Sequence, residues 1–372
     1  MEAFKGRQKA CVIGAGPSGL YVSKLLADSG AKVTVFEKSF DILGNYKYAK
    51  ENVQSSVGKI LYDPRIKFNL CSNESNIGDI FDFYVCATGG IPKELDIKGK
   101  EHTIQAMDLI KKHFSNKIAT DRENLAPKNV DSSSINRRNV MNLGKKVCII
   151  GMGNVAMDLI DYIFEESSAT KELTVFSRSE LKDAAFDNHK LRGIVDSDNW
   201  NIRMNNLKFD QNEPSIVKDD RKTVRRYKML QNSASFNHSN TLKGIVESVF
   251  NILPYGSACN AVFNKVKGMV KNLTKKKPKL NLIFNSRTCH IDKCKNGLRL
   301  VTIVNNTPKE EYFDSIISSI GFISSIPKIK TDKPIFYAGW CSGIPRGNIE
   351  DAKVEAEMLV DQISQQKIRK MA

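Results

Sequence analysis

Two glycine-rich turns constrain this chain more than anything else in it. Gly14-Ala15-Gly16-Pro17-Ser18-Gly19 follows the apolar run Ala10-Cys11-Val12-Ile13, and Gly151-Met152-Gly153-Asn154-Val155-Ala156 follows Val147-Cys148-Ile149-Ile150. A buried β-branched strand that enters a turn open only to glycine, and then a helix, brings bare backbone to a helix N-terminus. A pyrophosphate can approach the main chain there, at the positive end of the helix dipole. One such turn is a weak signal. Two predict two dinucleotides on one chain, an arrangement that lets a hydride pass from a nicotinamide to a flavin, and an α/β fold of two Rossmann-like dinucleotide-binding domains.

The residues beyond each turn sort the two pockets. After the first, a helix over Gly19–Ala27 leads to the strand Lys32–Phe36, which ends at Glu37. An acid at that place accepts hydrogen bonds from ribose hydroxyls, so the first pocket favours an unphosphorylated ribose, as in FAD. In the second, Ala156 replaces the third glycine and still permits close helix–strand packing. The following strand, Leu173–Phe176, ends at Ser177-Arg178-Ser179 with no acid. A guanidinium attracts a 2′-phosphate that a carboxylate would repel, so this pocket favours NADP(H) over NAD(H). Asn154 and Asp158 either help to fix the pyrophosphate turn or only cap the helix.

Composition sets the outer bounds. At 372 residues the chain has room for two domains with substantial cores. No apolar run is long enough to cross a bilayer, so no transmembrane segment is expected. The eight cysteines (11, 71, 86, 148, 259, 289, 294 and 341) include no Cys-x-x-Cys pair. A dithiol relay and a metal site are therefore not expected, and Cys11, Cys86 and Cys148 read as small buried hydrophobes. A reducing compartment fits this usage. Residues 1–9 read as a short lead-in to the first strand, without a secretory apolar core.

The net charge is +16, from 57 Lys and Arg against 41 Asp and Glu. Such a balance suits an acidic protein partner or nucleic acid. The basic residues recur at Lys218–Lys228 and Lys265–Lys279, with few interleaved aromatics to stack bases. Nucleic acid is accordingly the weaker expectation, and many of these side chains read as a solvated face.

Further along, Ile80–Gly90 contains a buried strand ending in Ala87-Thr88-Gly89. The polar stretch Asp131–Ser134 reads as a loop, and roughly 200 to 280 as helices and loops. Ser315–Gly321 reads as a strand closing the second domain, and Pro334–Trp340 as one returning to the first. A terminal helix from about Asn348 to Gln365 is expected to bury Val354, Met358, Leu359 and Ile363. The predicted organisation is a FAD-binding domain at 1–105 and 324–372, with the NADP-binding domain, 106–323, inserted into it.

With these motifs in order, nearly the whole chain resembles the adrenodoxin reductase family, the mitochondrial-type ferredoxin–NADP reductases related in fold to glutathione reductase. The resemblance rests on Gly151–Asp158, Ala185-Phe186 with Leu191-Arg192, Ser318-Ser319-Ile320-Gly321-Phe322 and Tyr337-Ala338-Gly339-Trp340. Family members are commonly longer. The resemblance implies that Gly14, Gly16, Ser18, Gly19 and Glu37 hold the adenosine diphosphate half of FAD. It places Asn45, Gly89 and Trp340 by the flavin, and Gly347, Asn348 and Ile349 against flavin and nicotinamide. Met152, Gly153, Asn154 and Val155 would hold the NADP pyrophosphate, and Arg178 its 2′-phosphate.

Three departures bear on NADP affinity more than on FAD binding. The family's second arginine is Ser179 here. A family glutamate aligns with Lys190, which either supplies the missing charge or marks a one-residue slip. The family's Gly-Pro-Thr-Gly segment reads Gly343-Ile344-Pro345-Arg346-Gly347.

By resemblance, then, the expected protein is an NADPH:ferredoxin oxidoreductase of the adrenodoxin reductase type. It would have no catalytic side chain of its own and would pass electrons through FAD to an acidic [2Fe–2S] ferredoxin docked on a basic face. The expected setting is iron–sulfur assembly in a mitochondrion or a related organelle. Two alternatives stay open: an NADPH-fed flavoprotein with another acceptor, like a glutamate synthase small subunit, or a non-catalytic nucleotide- or nucleic-acid-binding protein. Oligomeric state is not readable from the sequence.

Overall fold

The computed structural model describes residues 8–48, 60–72, 77–114, 142–205, 221–236, 277–343, 345, 347 and 349–371. Its chain divides into two compact units, residues 1–93 with 321–372, and residues 94–320.

The first unit is built on a parallel sheet in the order β16-β4-β1-β2-β3, comprising β1 (Lys9–Ile13), β2 (Lys32–Phe36), β3 (Ile66–Asn69), β4 (Phe83–Cys86) and β16 (Ile335–Tyr337). Parallel strands need a crossover, and α1 (Pro17–Asp28) supplies it between β1 and β2. The central strands are buried on both faces, which is why they read as continuous apolar runs. A short antiparallel pair, β5 (Gly90–Pro92) and β15 (Phe322–Ser324), stands apart from this sheet.

The helix α5 (Ile349–Met371) packs on α1 through Ala356, Val360 and Ile363. The expected inward face is thus corrected. Ile363 is buried and Leu359 partly so, but Val354 and Met358 are exposed at 55% and 68%. The small Ala356 lets α5 approach α1, and that choice of stripe turns the bulkier Val354 and Met358 outward.

The second unit carries a six-stranded parallel sheet in the order β6-β14-β7-β8-β10-β9. Its strands are β6 (Thr103–Gln105), β7 (Lys146–Ile150), β8 (Glu172–Phe176), β9 (Asn201–Asn205), β10 (Lys279–Ile283) and β14 (Ser315–Ser318). Among its described residues, 106–114 are helical, as are α2 (Asn154–Glu166), α3 (Asn188–Asp196) and α4 (Arg221–Phe236). An antiparallel sheet of β11 (Ser286–Cys294), β12 (Gly297–Val304) and β13 (Thr307–Phe313) also belongs to this unit.

The division falls after Lys93 and Ile320 rather than after residues 105 and 323. On one side β6 pairs with β14 and so belongs to the second sheet; on the other Phe322 and Ile323 pair back onto Pro92 and Ile91. The polar stretch Asp131–Ser134, most of the basic run 265–279 and Asn348 lie outside the described residues. Among the described residues no helix is long and apolar enough to cross a membrane. Cys11, Cys86 and Cys148 are buried, and burial pushes the Cys11 thiol up to about 12.

Candidate functional site

Each unit repeats one device at the C-terminal end of its leading strand. Gly14 sits at φ +105°, and a Cβ there would drive into the Ala87 carbonyl; Gly151 sits at φ +103° against the Ser319 carbonyl in the same way. Both turns thus press on the segment after the neighbouring strand, where an L side chain has neither the dihedral nor the room. By contrast, a Cβ at Gly16 or Gly153 would meet nothing within 4 Å. These two glycines are the N-caps of α1 and α2, and neither helix has a side-chain cap. Each turn therefore presents uncapped N–H groups to open space, at the strand-order switch of a parallel sheet. The arrangement fits a pyrophosphate without adjustment.

In the first unit Glu37 follows β2 and is buried, 6% exposed. One carboxylate oxygen accepts from the Ala15 N–H at 2.8 Å and the other from the Ser39 N–H at 2.9 Å. The acid is locked to the turn while each oxygen keeps acceptor capacity for a hydroxyl. Ser18 lies against Gly339, where a Cβ would collide with its hydroxyl. The Leu43 N–H donates to the Ala15 carbonyl at 2.8 Å, which lays residues 43–46 beside the turn with Asn45 exposed.

The strand end at Ala87-Thr88-Gly89 is tied down in the same unit. The Thr88 hydroxyl donates to the Ser325 carbonyl, and the Ser325 N–H donates to the Gly89 carbonyl at 3.1 Å. Half-buried Trp340 packs on Phe322 with centroids 4.9 Å apart, and its carbonyl accepts from the Ser324 hydroxyl at 2.7 Å. Gly347 is exposed at φ +93° beside Asp351, just ahead of Ile349 at the start of α5. The structure thus gathers Gly14, Gly16, Ser18, Gly19, Glu37 and Gly339 around one turn.

In the second unit Met152 is buried, while Gly153, Asn154 and Val155 are half-buried along the turn. Asn154 neither caps α2 nor faces solvent alone. Its Nδ2 donates to the Asp187 carboxylate and its Oδ1 accepts the Asp187 N–H, both at 2.8 Å. That reciprocal pair latches the start of α3 to the turn. Asp158 and Lys190, the former read as a helix cap or turn residue and the latter as a candidate for the missing charge, form an ion pair at 2.7 Å with both side chains mostly buried. The Lys190 ammonium is neutralised inside the fold, so the structure does not show it as a charge held open for a ligand.

Arg178 is exposed, and Ser179 beside it is half-buried. Arg178 lines a pocket of about 390 Å³ with Asn285, Ser286, Arg287, Ile303, Asn305 and Asn306. Sequence reading missed Asp187 and the far wall of this pocket. Asp187 was visible only as an N-cap residue type. The wall was foreshadowed only by Asn305-Asn306, a turn signal after the apolar-rich stretch Leu298–Val304.

Residues 12–65 match the model of the NAD(P)-binding Rossmann-like domain. The Escherichia coli (strain K12) protein named "Putative oxidoreductase YgfK" is 26% identical over 208 residues, 55% of this chain and 19% of that one. The chain thus spans about a fifth of the length of that curated relative. Among solved structures, FprA of Mycobacterium tuberculosis in complex with NADPH is similar with a TM-score of 0.68 at 16% identity, over 98% of this chain and 85% of that one. The His57Gln mutant of FprA gives 0.69 at 16% identity, over 98% and 86%. At this identity the likeness is one of fold: a mixed α/β molecule with parallel Rossmann-like sheets, as in FprA-type flavoreductases with two dinucleotide-binding domains.

Proposed function

We propose that this chain is an FAD-dependent oxidoreductase of the adrenodoxin reductase type, taking electrons from NADPH and delivering them to an acidic [2Fe–2S] ferredoxin. The observation that carries the reading is the duplicated turn with opposite chemistry behind it: buried Glu37 in one unit, exposed Arg178 in the other. When bound, FAD and NADPH supply the chemistry, a hydride from the nicotinamide to the flavin and single electrons onward.

The chain's own residues bind and orient. The N–H groups after Gly14 and Gly16 take the FAD pyrophosphate, and Glu37 accepts from the adenosine ribose. Asn45, Gly89 and Trp340 would lie by the flavin, with Trp340 held in place by Phe322 and Ser324, and Gly347, Asn348 and Ile349 would offer backbone groups to flavin and nicotinamide. Met152 to Val155 take the NADP pyrophosphate, and Arg178 pairs with the 2′-phosphate. The likeness to a protein solved with NADPH supports the second assignment, and the YgfK relationship supports oxidoreductase chemistry in general. A mitochondrial or related compartment, with iron–sulfur assembly as the use, belongs to the same proposal.

A second reading, with an acceptor other than ferredoxin, is favoured by one observation: the relative named "Putative oxidoreductase YgfK" is about five times the length of the matching segment. Anaerobic mixing of the flavin-loaded protein, NADPH and a [2Fe–2S] ferredoxin separates the two. Ferredoxin reduction that depends on all three supports the first. A flavin reduced by NADPH that leaves ferredoxin oxidised would show the acceptor to be another.

A further inference from the structure

The pocket beside Arg178 contains a second guanidinium that no motif announced. Arg178 and Arg287 come from distant parts of the second unit, yet a buried serine pair brings both to the lining of one pocket. The Ser286 N–H and hydroxyl both donate to the Ser177 carbonyl, at 2.9 and 3.0 Å, across 109 residues of sequence. Ser177 donates its own N–H to the Ile283 carbonyl at 2.7 Å, and the Asn285 N–H reaches the Ser179 carbonyl at 3.3 Å. Ser177 and Ser286 are 4% and 5% exposed. Arg178 and Arg287 are the residues that immediately follow them, and both are exposed.

The rest of the wall is rigid and polar. Asn285, Asn305 and Asn306 sit at φ +52°, +49° and +63°, a conformation asparagine tolerates better than most residues. The Asn305 N–H donates to the Asn285 carbonyl at 3.4 Å, which joins the β12–β13 turn to the β10–β11 turn. Ile303 is the register partner of Arg287 across β11 and β12 and adds an apolar patch on the same face.

Two guanidinium groups lining one pocket repel each other unless an anion stands between them. Among the described residues neither Arg178 nor Arg287 has a carboxylate within ion-pair distance, and the nearby Glu180 is engaged by Lys182 at 3.0 Å. The volume suits part of a nucleotide. We propose that Arg287 is the second anion-binding group of this pocket, and that Arg178 and Arg287 together select a dinucleotide bearing a phosphomonoester on its ribose. Arg287 thereby supplies, from the edge of an antiparallel sheet, the charge that Ser179 does not. The inference rests on the reading that the second turn binds NADP(H), and it names the residue that sets the preference there.

The test measures binding of 2′,5′-ADP and of 5′-AMP to the full chain by calorimetry, together with flavin reduction by NADPH and NADH. Arg287→Ala is expected to weaken 2′,5′-ADP and raise the KM for NADPH by about ten- to a hundredfold, the range for one charge-assisted contact. It should leave 5′-AMP binding, the rate at saturating NADPH and the NADH parameters unchanged. Arg287→Lys should restore only part of the loss, because a lysine keeps the charge and loses the two-pronged geometry. If Arg178→Ala abolishes the preference while Arg287→Ala leaves it intact, the Arg287 assignment is overturned and the NADP reading stands. If the unaltered protein takes 2′,5′-ADP no better than 5′-AMP, both are overturned.

Discussion

At the scale of single residues, what the sequence shows and what it hides follows from distance along the chain. Gly14, Gly16 and Glu37 lie within one βαβ unit, where strand, turn, helix and acid occur in a fixed order, so their placement around one turn could be read directly. The Lys190–Asp158 ion pair could not be read, because the two residues stand on different helices and nothing in either local pattern reveals the pair. The placement of Arg287 on the same pocket as Arg178 was hidden for the same reason, being set by the Ser177–Ser286 contact. Two outcomes belong here. Glu37→Gln keeps the shape but removes the charge-assisted acceptor, and should weaken FAD retention about tenfold in equilibrium dialysis, with the fold preserved by circular dichroism. Gly14→Ala forces a Cβ into the Ala87 carbonyl at a positive φ, and should yield protein that is colourless or insoluble.

At the scale of elements, the parallel strands and their first helices were legible because burial on both faces leaves unbroken apolar runs. The β11–β13 sheet was not read. Its alternation is interrupted by a register shift between Thr288 and His290, and its outer strand β13 is mostly exposed and charged. The inward face of α5 was half right, since side-chain size suggested Met358 and packing chose Ala356 and Val360. Ile363→Ala should therefore cost about 2–5 kcal/mol in denaturant unfolding, and Met358→Ala close to nothing.

The start of β3 is tied to the end of α1 by Arg65. Its guanidinium donates to Asp63 at 2.6 Å, to Asp28 at 2.7 Å and to the Ala27 carbonyl at 2.9 Å. The Arg65 hydrogen bond, ahead of every other cause, holds the Asp63 carboxyl far below the usual carboxylate range. A depressed pKa contributes stability above the ordinary carboxylate value, and that contribution is lost as pH falls. Asp63→Asn should melt several degrees below the unaltered protein at neutral pH. The gap should narrow steadily once the pH drops below about 4, the unfolded carboxylate value.

At the scale of the whole molecule, two units on one chain, each with a parallel sheet behind a glycine turn, were foreseeable from two turns. The boundaries between them were not, because β6 joins the second sheet by three residues too few to show a pattern. The charge of +16 acts at this scale as well. If it steers an acidic ferredoxin, ferredoxin-coupled turnover at saturating NADPH should fall steeply between low and physiological salt, while reduction of a small neutral acceptor stays nearly constant.

The measurement that bears most directly on the central claim is an anaerobic titration of the purified, flavin-loaded protein with NADPH and, separately, with NADH, following flavin absorbance. One FAD per chain, bleached stoichiometrically by NADPH and only at much higher concentration by NADH, is the predicted result. A chain that retains no flavin, or a flavin that either nicotinamide bleaches equally well, would contradict the assignment of the two turns.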